Sequence, residues 1–261
     1  MPRPAPYDVM RTGSGPRVLL LHSGFHTWVE FRRLIALLAE DHEVLATTQP
    51  GSAGGPPLDR RRSMLAQHAD HVAAVLDEAG WHDDVTAVGS SFGGVLAIEL
   101  LARGRASSAT ALAPPWVSGP GLAFYAGLFS SVLPAVRASR PLWPYSARSA
   151  TINGLWFHQS RRPTAIDESD VRALLDSVAR FPFFRAGLVA RTSGPGMPDL
   201  AAVDSSRVTL AWGSRDFLVP RWMRSRWEAS LPRATVVQLD GFAHQPHLQD
   251  PDAIAALIRS T

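Results

Sequence analysis

Short apolar runs alternate along this chain with longer stretches in which apolar residues recur every three or four positions. Continuous apolar runs of this kind are typical of strands that are buried on both faces of a sheet. They occupy residues 18–21, 43–47, 85–88, 108–112, 208–212 and 234–239. Strands that alternate with helices predict an α/β fold with a mostly parallel sheet and helices on both faces.

Capping signals mark the start of two of the predicted helices. Thr27 followed by Glu30 has the spacing of a capping box, which predicts a helix that continues through Leu38. Asp250 followed by Pro251 predicts the start of the last helix. The first of these helices opens directly after the loop at residues 22–25, so we expect backbone N–H groups of that loop to face a site at the sheet edge.

The alternation stops at Pro114 and resumes after residue 200. The intervening residues are rich in aromatic residues, proline, glycine and serine, and apolar positions at 171, 174, 175 and 178 indicate an amphipathic helix. We therefore expect residues 1–113 and 201–261 to form one α/β core. Residues 114–200 are expected to form a helical lid inserted into it.

The composition is that of a globular chain and argues against several classes of partner. Hydrophobic residues make up 46% of the 261 positions and charged residues 19%. All 26 basic residues are arginine, but they are scattered and the formal net charge is only +3, so no nucleic-acid partner is expected. The absence of cysteine excludes disulfides and thiolate metal sites. With no signal-like segment and no apolar run near the roughly 20 residues of a membrane span, a cytoplasmic protein is expected.

The most informative motif is Gly-Ser-Ser-Phe-Gly at residues 89–93. It reads G-x-S-x-G, follows a predicted strand and precedes a predicted helix, which is the context of a nucleophile elbow. This context favours Ser91 as a nucleophile, with a purely structural turn as the alternative. Ser90 is the rival hydroxyl, but it does not hold the central position of the motif.

A serine nucleophile needs a base and a carboxylate that orients the base, and both follow Ser91 in the expected order. Asp216 and His244 each come just after a predicted strand, at the sheet edge where open α/β folds bind ligands. Asp216 could instead cap a helix. Weaker rivals for the acid or the base are Asp199, Asp204, Asp240 and His247.

Three further histidines have simpler interpretations. His22 follows a strand and is expected to be a hydrogen-bonded structural residue near the site. His68 and His71 lie one turn apart on a helix predicted to lie at the surface, with no further ligand cluster, so no metal site is expected.

Acyl transfer also needs donors for the oxyanion that develops in the transition state. One is expected to be the backbone N–H of Phe92, and the other should come from the loop at residues 22–25.

Taken together, these motifs resemble those of a lid-bearing serine hydrolase of the α/β-hydrolase superfamily. The matching segments are residues 20–24, 49–55, 89–94, 212–216 and 241–244, spread over about two-thirds of the chain. The resemblance implies Ser91, Asp216 and His244 as the catalytic triad, main-chain oxyanion donors at Gly24 and Phe92, and no cofactor. Ser23 stands where the family usually has glycine, and Gln49 stands where an acidic residue often precedes the Pro-Gly loop.

The aromatic residues of the predicted lid exceed what a few short helices need for their own core. Some are therefore expected to line an apolar pocket over Ser91. The candidates are Trp143, Trp156 and Phe183, together with Phe25 from the oxyanion loop. Such a pocket fits a small hydrophobic ester or lactone better than a charged substrate.

Three functions are compatible with this set of residues. The leading one is hydrolysis of a carboxylic ester or lactone through an acyl-enzyme. A lyase or carbon–carbon bond hydrolase of the same fold is the second, and a non-catalytic ligand-binding protein is the third. Haloalkane dehalogenases and epoxide hydrolases of this fold use an aspartate nucleophile, so Ser91 argues against both.

Overall fold

The computed structural model describes residues 8–24, 26–59, 61–139, 141 and 196–261. Within these residues seven strands form one sheet in the order β1-β3-β2-β4-β5-β6-β7, and among them only β1 runs antiparallel to its neighbour. The strands are β1 Val9–Gly13, β2 Arg17–Leu21, β3 Glu43–Thr47, β4 Val85–Ser90, β5 Ser108–Leu112, β6 Val208–Gly213 and β7 Thr235–Leu239. The predicted fold class is confirmed.

Helices follow most of the strands. They are α1 Arg32–Leu38, α2 Met64–Ala79, α3 Phe92–Ala102, α4 Pro120–Ala138, α5 Arg221–Ser230, α6 Pro246–Gln249 and α7 Pro251–Arg259. Short 3₁₀ turns lie at Trp28–Phe31, Leu200–Ala202 and Ser205–Arg207. Asp250 caps α7 as predicted, because its side chain accepts a hydrogen bond from the Ala253 N–H at 3.0 Å.

Two hydrophobic clusters cover the two faces of the sheet. Alternate residues of β2 divide between them: Leu19 and Leu21 pack in the cluster with α2, α3 and α5, whereas Val18 and Leu20 pack with α1 and α7. This division follows from the side-chain period of two along a strand. β2 is therefore apolar on both faces, which is why it appears in the sequence as a continuous apolar run, whereas the edge strand β7 is mostly exposed despite its apolar sequence.

β1 was not predicted from the sequence. It lies at the sheet edge, and its residues alternate between exposed and partly exposed positions. β1 carries little of the apolar signal by which strands are recognised, since its sequence Val-Met-Arg-Thr-Gly mixes apolar and polar residues and none of them is fully buried.

The predicted lid lies between two strands that are neighbours in the sheet, β5 and β6. Its first part contains α4, at Pro120–Ala138. Residues 142–195, which include Trp143, Trp156, Phe183 and the predicted amphipathic helix, lie outside the described residues. The division into core and lid therefore stays a prediction. Within the part of the chain that is described, no helix combines the length and the apolar character needed to cross a bilayer.

Candidate active site

Ser91 occupies a sharp turn between β4 and α3. Its backbone has φ +52° and ψ −119°, a conformation that L-residues rarely adopt. The turn is held by the Ser91 N–H, which donates to the Leu112 carbonyl at 2.7 Å, and by the Ser91 carbonyl, which accepts from the Gly94 N–H at 2.9 Å. The strand–turn–helix geometry predicted from the motif is therefore present.

The two outer glycines of the motif are required by close backbone approaches. A Cβ at Gly89 would lie 1.9 Å from the Gly93 carbonyl oxygen, and one at Gly93 would lie 2.0 Å from the Leu21 carbonyl oxygen. Neither position leaves room for a side chain, since the obstacle in each case is backbone. This requirement explains the spacing of glycines around Ser91.

His244 lies between Ser91 and Asp216 and contacts both. Its Nε2 is 3.0 Å from Ser91 Oγ, and its Nδ1 is 3.1 Å from Asp216 Oδ2. The Asp216 carboxylate accepts only, so Nδ1 carries the proton and Nε2 is free to take one from Ser91. Asp216 and His244 are each only 7% exposed. The loops after β4, β6 and β7 thus bring these three predicted residues together.

The Asp216 carboxylate divides its two oxygens between two tasks. Oδ2 faces His244, whereas Oδ1 accepts hydrogen bonds from the N–H groups of Leu218 at 2.9 Å and Val219 at 3.1 Å. The alternative in which Asp216 caps the following helix is wrong, because the N-cap of α5 is Pro220. The carboxylate instead organises its own loop and points its second oxygen at the histidine.

The two residues predicted to supply the oxyanion donors, Gly24 and Phe92, lie close together. Phe92 is the first residue of α3, where backbone N–H groups have no partner within the helix and the helix dipole favours negative charge. A Cβ at Gly24 would lie 3.6 Å from Phe92 Cβ, so the two loops are in contact. Phe25, predicted to line the pocket, lies outside the described residues.

The neutral imidazole of His22 holds the loop at residues 22–25, the oxyanion loop, in place. The Gln49 N–H donates to His22 Nε2 at 2.9 Å, which leaves the proton on Nδ1, 2.8 Å from the Ser23 carbonyl oxygen. Burial lowers the pKa of His22 to about 4, although Glu30 nearby opposes the shift. His22 is therefore a structural residue, as the sequence suggested, and it ties the oxyanion loop to the loop that begins at Gln49.

The rival hydroxyl and the rival base are both turned away from this arrangement. Ser90 is fully buried, with Oγ 3.0 Å from Ser23 Oγ. His247 is also buried, and its Nε2 is 3.5 Å from Glu30 Oε1. Among the described residues, neither is hydrogen-bonded to Ser91, Asp216 or His244.

The predicted capping box at Thr27 is wrong. Trp28–Phe31 is a 3₁₀ turn without a side-chain cap, and Thr27 Oγ1 is buried without a hydrogen-bond partner among the described residues. Glu30 does not reach back to Thr27, because its carboxylate is bound by Ser23 and His26 instead. The i, i+3 spacing was real, but it serves a buried polar cluster that sequence reasoning missed.

The prediction of a surface position for His68 is also wrong. His68 is buried, with its ring edge-on to Phe92 at a centroid distance of 5.3 Å and its Nδ1 2.6 Å from the Met64 carbonyl oxygen. Burial lowers its pKa to about 3. Within the described residues, no three histidine or carboxylate side chains cluster as metal ligands would.

Comparisons with known proteins agree with the fold. The chain matches the alpha/beta hydrolase family over residues 18–257, and it belongs to that family. A relative 34% identical over 206 residues is the epoxide hydrolase EphH of Mycobacterium tuberculosis (strain ATCC 25618 / H37Rv). The match covers 74% of this chain and 92% of that protein. The chain is accordingly an enzyme of the hydrolase class.

Solved structures of similar fold include two that act on esters or lactones by name. The esterase RhEst1 from Rhodococcus sp. ECU1013 superposes with a TM-score of 0.71 at 21% identity, covering 97% of this chain and 92% of that one. The enol-lactonase from Burkholderia xenovorans LB400 gives a TM-score of 0.70 at 13% identity, covering 97% and 95%. At such identities the likeness is one of fold alone.

Proposed function

We propose that this protein is a serine hydrolase that cleaves a hydrophobic carboxylic ester or lactone through an acyl-enzyme on Ser91. The observation that carries the proposal is the continuous contact from Ser91 Oγ through the His244 ring to Asp216, at 3.0 and 3.1 Å. Such an arrangement activates a hydroxyl that is otherwise a poor nucleophile.

In the first half of the proposed reaction, His244 Nε2 takes the Ser91 proton as Oγ attacks the carbonyl carbon. The carbonyl π electrons move to oxygen, and the oxyanion is held by the N–H groups of Phe92 and Gly24. When the intermediate collapses, the bond to the alcohol oxygen breaks and that oxygen takes the proton from His244. The acyl group remains esterified to Ser91.

The second half repeats these steps with water as the nucleophile. His244 takes a proton from water, whose oxygen attacks the acyl carbon, and collapse releases the carboxylic acid while Ser91 recovers its proton. Asp216 keeps the imidazole in the tautomer that both halves require. A lactone follows the same path, except that the released hydroxyl belongs to the same molecule as the acid.

The name of the mycobacterial relative makes epoxide hydrolysis the second candidate. A carboxylate nucleophile opens an epoxide to an ester, which water can cleave. A serine hydroxyl would open it to an ether, which neither His244 nor water can release. The presence of serine at position 91 therefore favours acyl transfer over epoxide opening.

We further propose that residues 114–200 form the lid that sets substrate specificity. Tyr125 on α4 connects this segment to the loop that carries Asp216, because its hydroxyl donates to the Leu218 carbonyl at 2.6 Å. Trp143, Trp156 and Phe183 from the lid and Phe25 from the oxyanion loop remain the candidates for pocket walls.

A substrate panel tests the proposed function. It would contain p-nitrophenyl esters of increasing acyl length, γ- to ε-lactones and styrene oxide, each assayed with the wild type and with Ser91→Ala. We expect turnover of esters or lactones that Ser91→Ala abolishes. Turnover of styrene oxide with no ester or lactone cleaved, or equal rates for the wild type and Ser91→Ala, would overturn the proposal.

A further inference from the structure

A buried carboxylate lies behind the candidate triad and is not used in the mechanism above. The Glu30 side chain has no exposure to solvent. Its Oε1 accepts a hydrogen bond from the Ser23 N–H at 2.8 Å and lies 3.1 Å from Ser23 Oγ, and its Oε2 is 2.5 Å from His26 Nδ1. Glu30 therefore binds both the main chain and the side chain of the loop that carries Gly24.

A second imidazole approaches the same carboxylate from α6. His247 Nε2 is 3.5 Å from Glu30 Oε1, and the His247 ring packs against Phe31 at a centroid distance of 4.6 Å. Glu30 thus lies between His26, which comes just before the 3₁₀ turn of Glu30, and His247, which comes from the segment after His244. We name Glu30, Ser23, His26 and His247 the Glu30 cluster.

Burial raises the pKa of Glu30, but the nearby His26 and His247 imidazoles outweigh it, with His26 in hydrogen-bond contact, and hold the pKa well below its usual range. The carboxylate is therefore ionised in the folded protein. A carboxylate buried with polar partners contributes little net stability compared with apolar residues of the same volume. The cluster accordingly calls for an explanation other than stability.

The Glu30 cluster reaches the neighbours of three active-site residues. Ser23 precedes Gly24, the proposed oxyanion donor. Ser23 Oγ is 3.0 Å from Ser90 Oγ, and Ser90 precedes the proposed nucleophile. The Gln245 amide nitrogen is 3.2 Å from both Ser23 Oγ and His26 Nδ1, and Gln245 follows the candidate base. One carboxylate thus holds the loop junction from which all three groups project.

We propose that Glu30 is a positioning residue that fixes the oxyanion loop against the elbow and the histidine loop. This inference rests on the proposed serine hydrolase mechanism. Ser23 is suited to this role, because its hydroxyl contacts the Glu30 carboxylate, Ser90 and Gln245 together. Small displacements of such groups are costly because acyl transfer needs the nucleophile and the oxyanion donors at fixed distances from one carbon.

Glu30→Gln tests this role with little change of shape. The amide oxygen can still accept from the Ser23 N–H, but the amide NH₂ cannot accept from His26 and the charge is lost. We expect kcat to fall roughly 10- to 100-fold with KM nearly unchanged. The rate at which diethyl p-nitrophenyl phosphate modifies the enzyme should fall in parallel, because it depends on the same nucleophile and donors.

The matched control is Glu99→Gln. Glu99 is also a largely buried glutamate with an ion pair, to Arg103 at 2.6 Å, but it lies near the far end of α3. It is expected to keep the wild-type rates. All rates are expressed per folded protein, measured by circular dichroism and urea titration, so that lost stability is not read as lost positioning.

The results of these measurements decide the proposal. A slower Glu30→Gln beside a normal Glu99→Gln supports it, whereas a Glu30→Gln that is less stable but reacts at the wild-type rate overturns it. If Glu30→Gln does not fold, Ser23→Ala replaces it, since that variant keeps the N–H bond and removes the hydroxyl link. Ser23→Ala is expected to react with diethyl p-nitrophenyl phosphate several-fold more slowly than the wild type, and an unchanged rate would overturn the proposal.

If diethyl p-nitrophenyl phosphate does not modify the wild type, the serine hydrolase mechanism itself is overturned, and this inference with it.

Discussion

Arg224 reaches from α5 back to the main chain of Asp216. Its Nη2 donates to the Asp216 carbonyl oxygen at 2.8 Å, and its Nε donates to the Val219 carbonyl oxygen at 3.0 Å. The planar guanidinium therefore closes the loop from Asp216 to Val219 at both ends. The orientation of the Asp216 carboxylate depends on that loop, because its Oδ1 is bound by the same segment.

We predict that Arg224→Met lowers kcat roughly tenfold, by loosening the loop that aims Asp216 at His244. Methionine retains the packing of the aliphatic stem but none of the donors. Arg221→Met, an exposed position on the same helix, is the matched control and should retain the wild-type kcat. Steady-state kinetics on the best ester of the panel measure both. Equal kcat values for the two variants would show that the loop holds its shape without Arg224.

Asp216 and His244 should behave as one unit. Asp216→Asn keeps an oxygen that can accept from the loop but places an amide next to His244, which favours the wrong tautomer. We expect Asp216→Asn and His244→Ala each to lower kcat by roughly 10³-fold or more, and the double variant to be little worse than His244→Ala. Single-turnover and steady-state rates of the three variants measure this coupling. Losses that add in log kcat would mean that the two residues act independently.

His68 should make the folded state sensitive to acid. Burial lowers its pKa from 6.5 to about 3, so between these values the unfolded chain binds a proton that the folded protein does not. The free energy of unfolding must then fall as the pH falls from 6.5 toward 3, by about 1.4 kcal/mol per pH unit for this one group. His68→Phe, which keeps a ring against Phe92, should remove that part of the slope.

Urea titrations at pH 7, 6 and 5 give the free energy of unfolding of each variant, and the slopes of this free energy against pH are then compared. The exposed His82 gives the control, His82→Gln, which is expected to keep the wild-type slope. If His68→Phe shows the same slope as wild type, then the imidazole of His68 takes up its proton equally in the folded and unfolded chain.

The sequence predicts the elbow well because the motif and its flanking strand and helix are contiguous in the chain. A Cβ at Gly89 would meet the Gly93 carbonyl inside the motif, whereas a Cβ at Gly93 would meet the Leu21 carbonyl of the neighbouring strand, so only the first of these constraints is local. Asp216 and His244 were found for a related reason, since parallel strands put their carboxyl ends at one edge. Each needed only the position of its own strand.

The Glu30 cluster could not be found in this way. Its contacts join residues 23, 26, 30 and 247, and the segment with His247 is brought there only by the completed sheet. The local spacing of Thr27 and Glu30 gave a simpler and incorrect interpretation as a capping box. The single sequence clue was Ser23, a hydroxyl where the family usually has none.

Lid residues should affect the choice of substrate more than the chemistry. Replacement of Trp143, Trp156 or Phe183 by alanine is expected to lower kcat/KM for long-chain esters by a factor of 10 to roughly 200. The rate of modification by a small phosphonate should be unaffected, because the triad and the oxyanion donors stay in place. Equal losses for short and long esters would indicate that the segment only supports the core.

Covalent labelling tests the proposed role of Ser91 as the nucleophile most directly. Wild-type protein is treated with a fluorophosphonate and digested, and the modified peptide is identified by mass spectrometry beside Ser91→Ala and Ser90→Ala. We predict that one phosphonyl group is added to Ser91 in the wild type and in Ser90→Ala, that Ser91→Ala is unmodified, and that labelling abolishes ester turnover. Two results would contradict Ser91 as the nucleophile. One is labelling of Ser90, and the other is full ester turnover by Ser91→Ala, the variant that is expected to stay unlabelled.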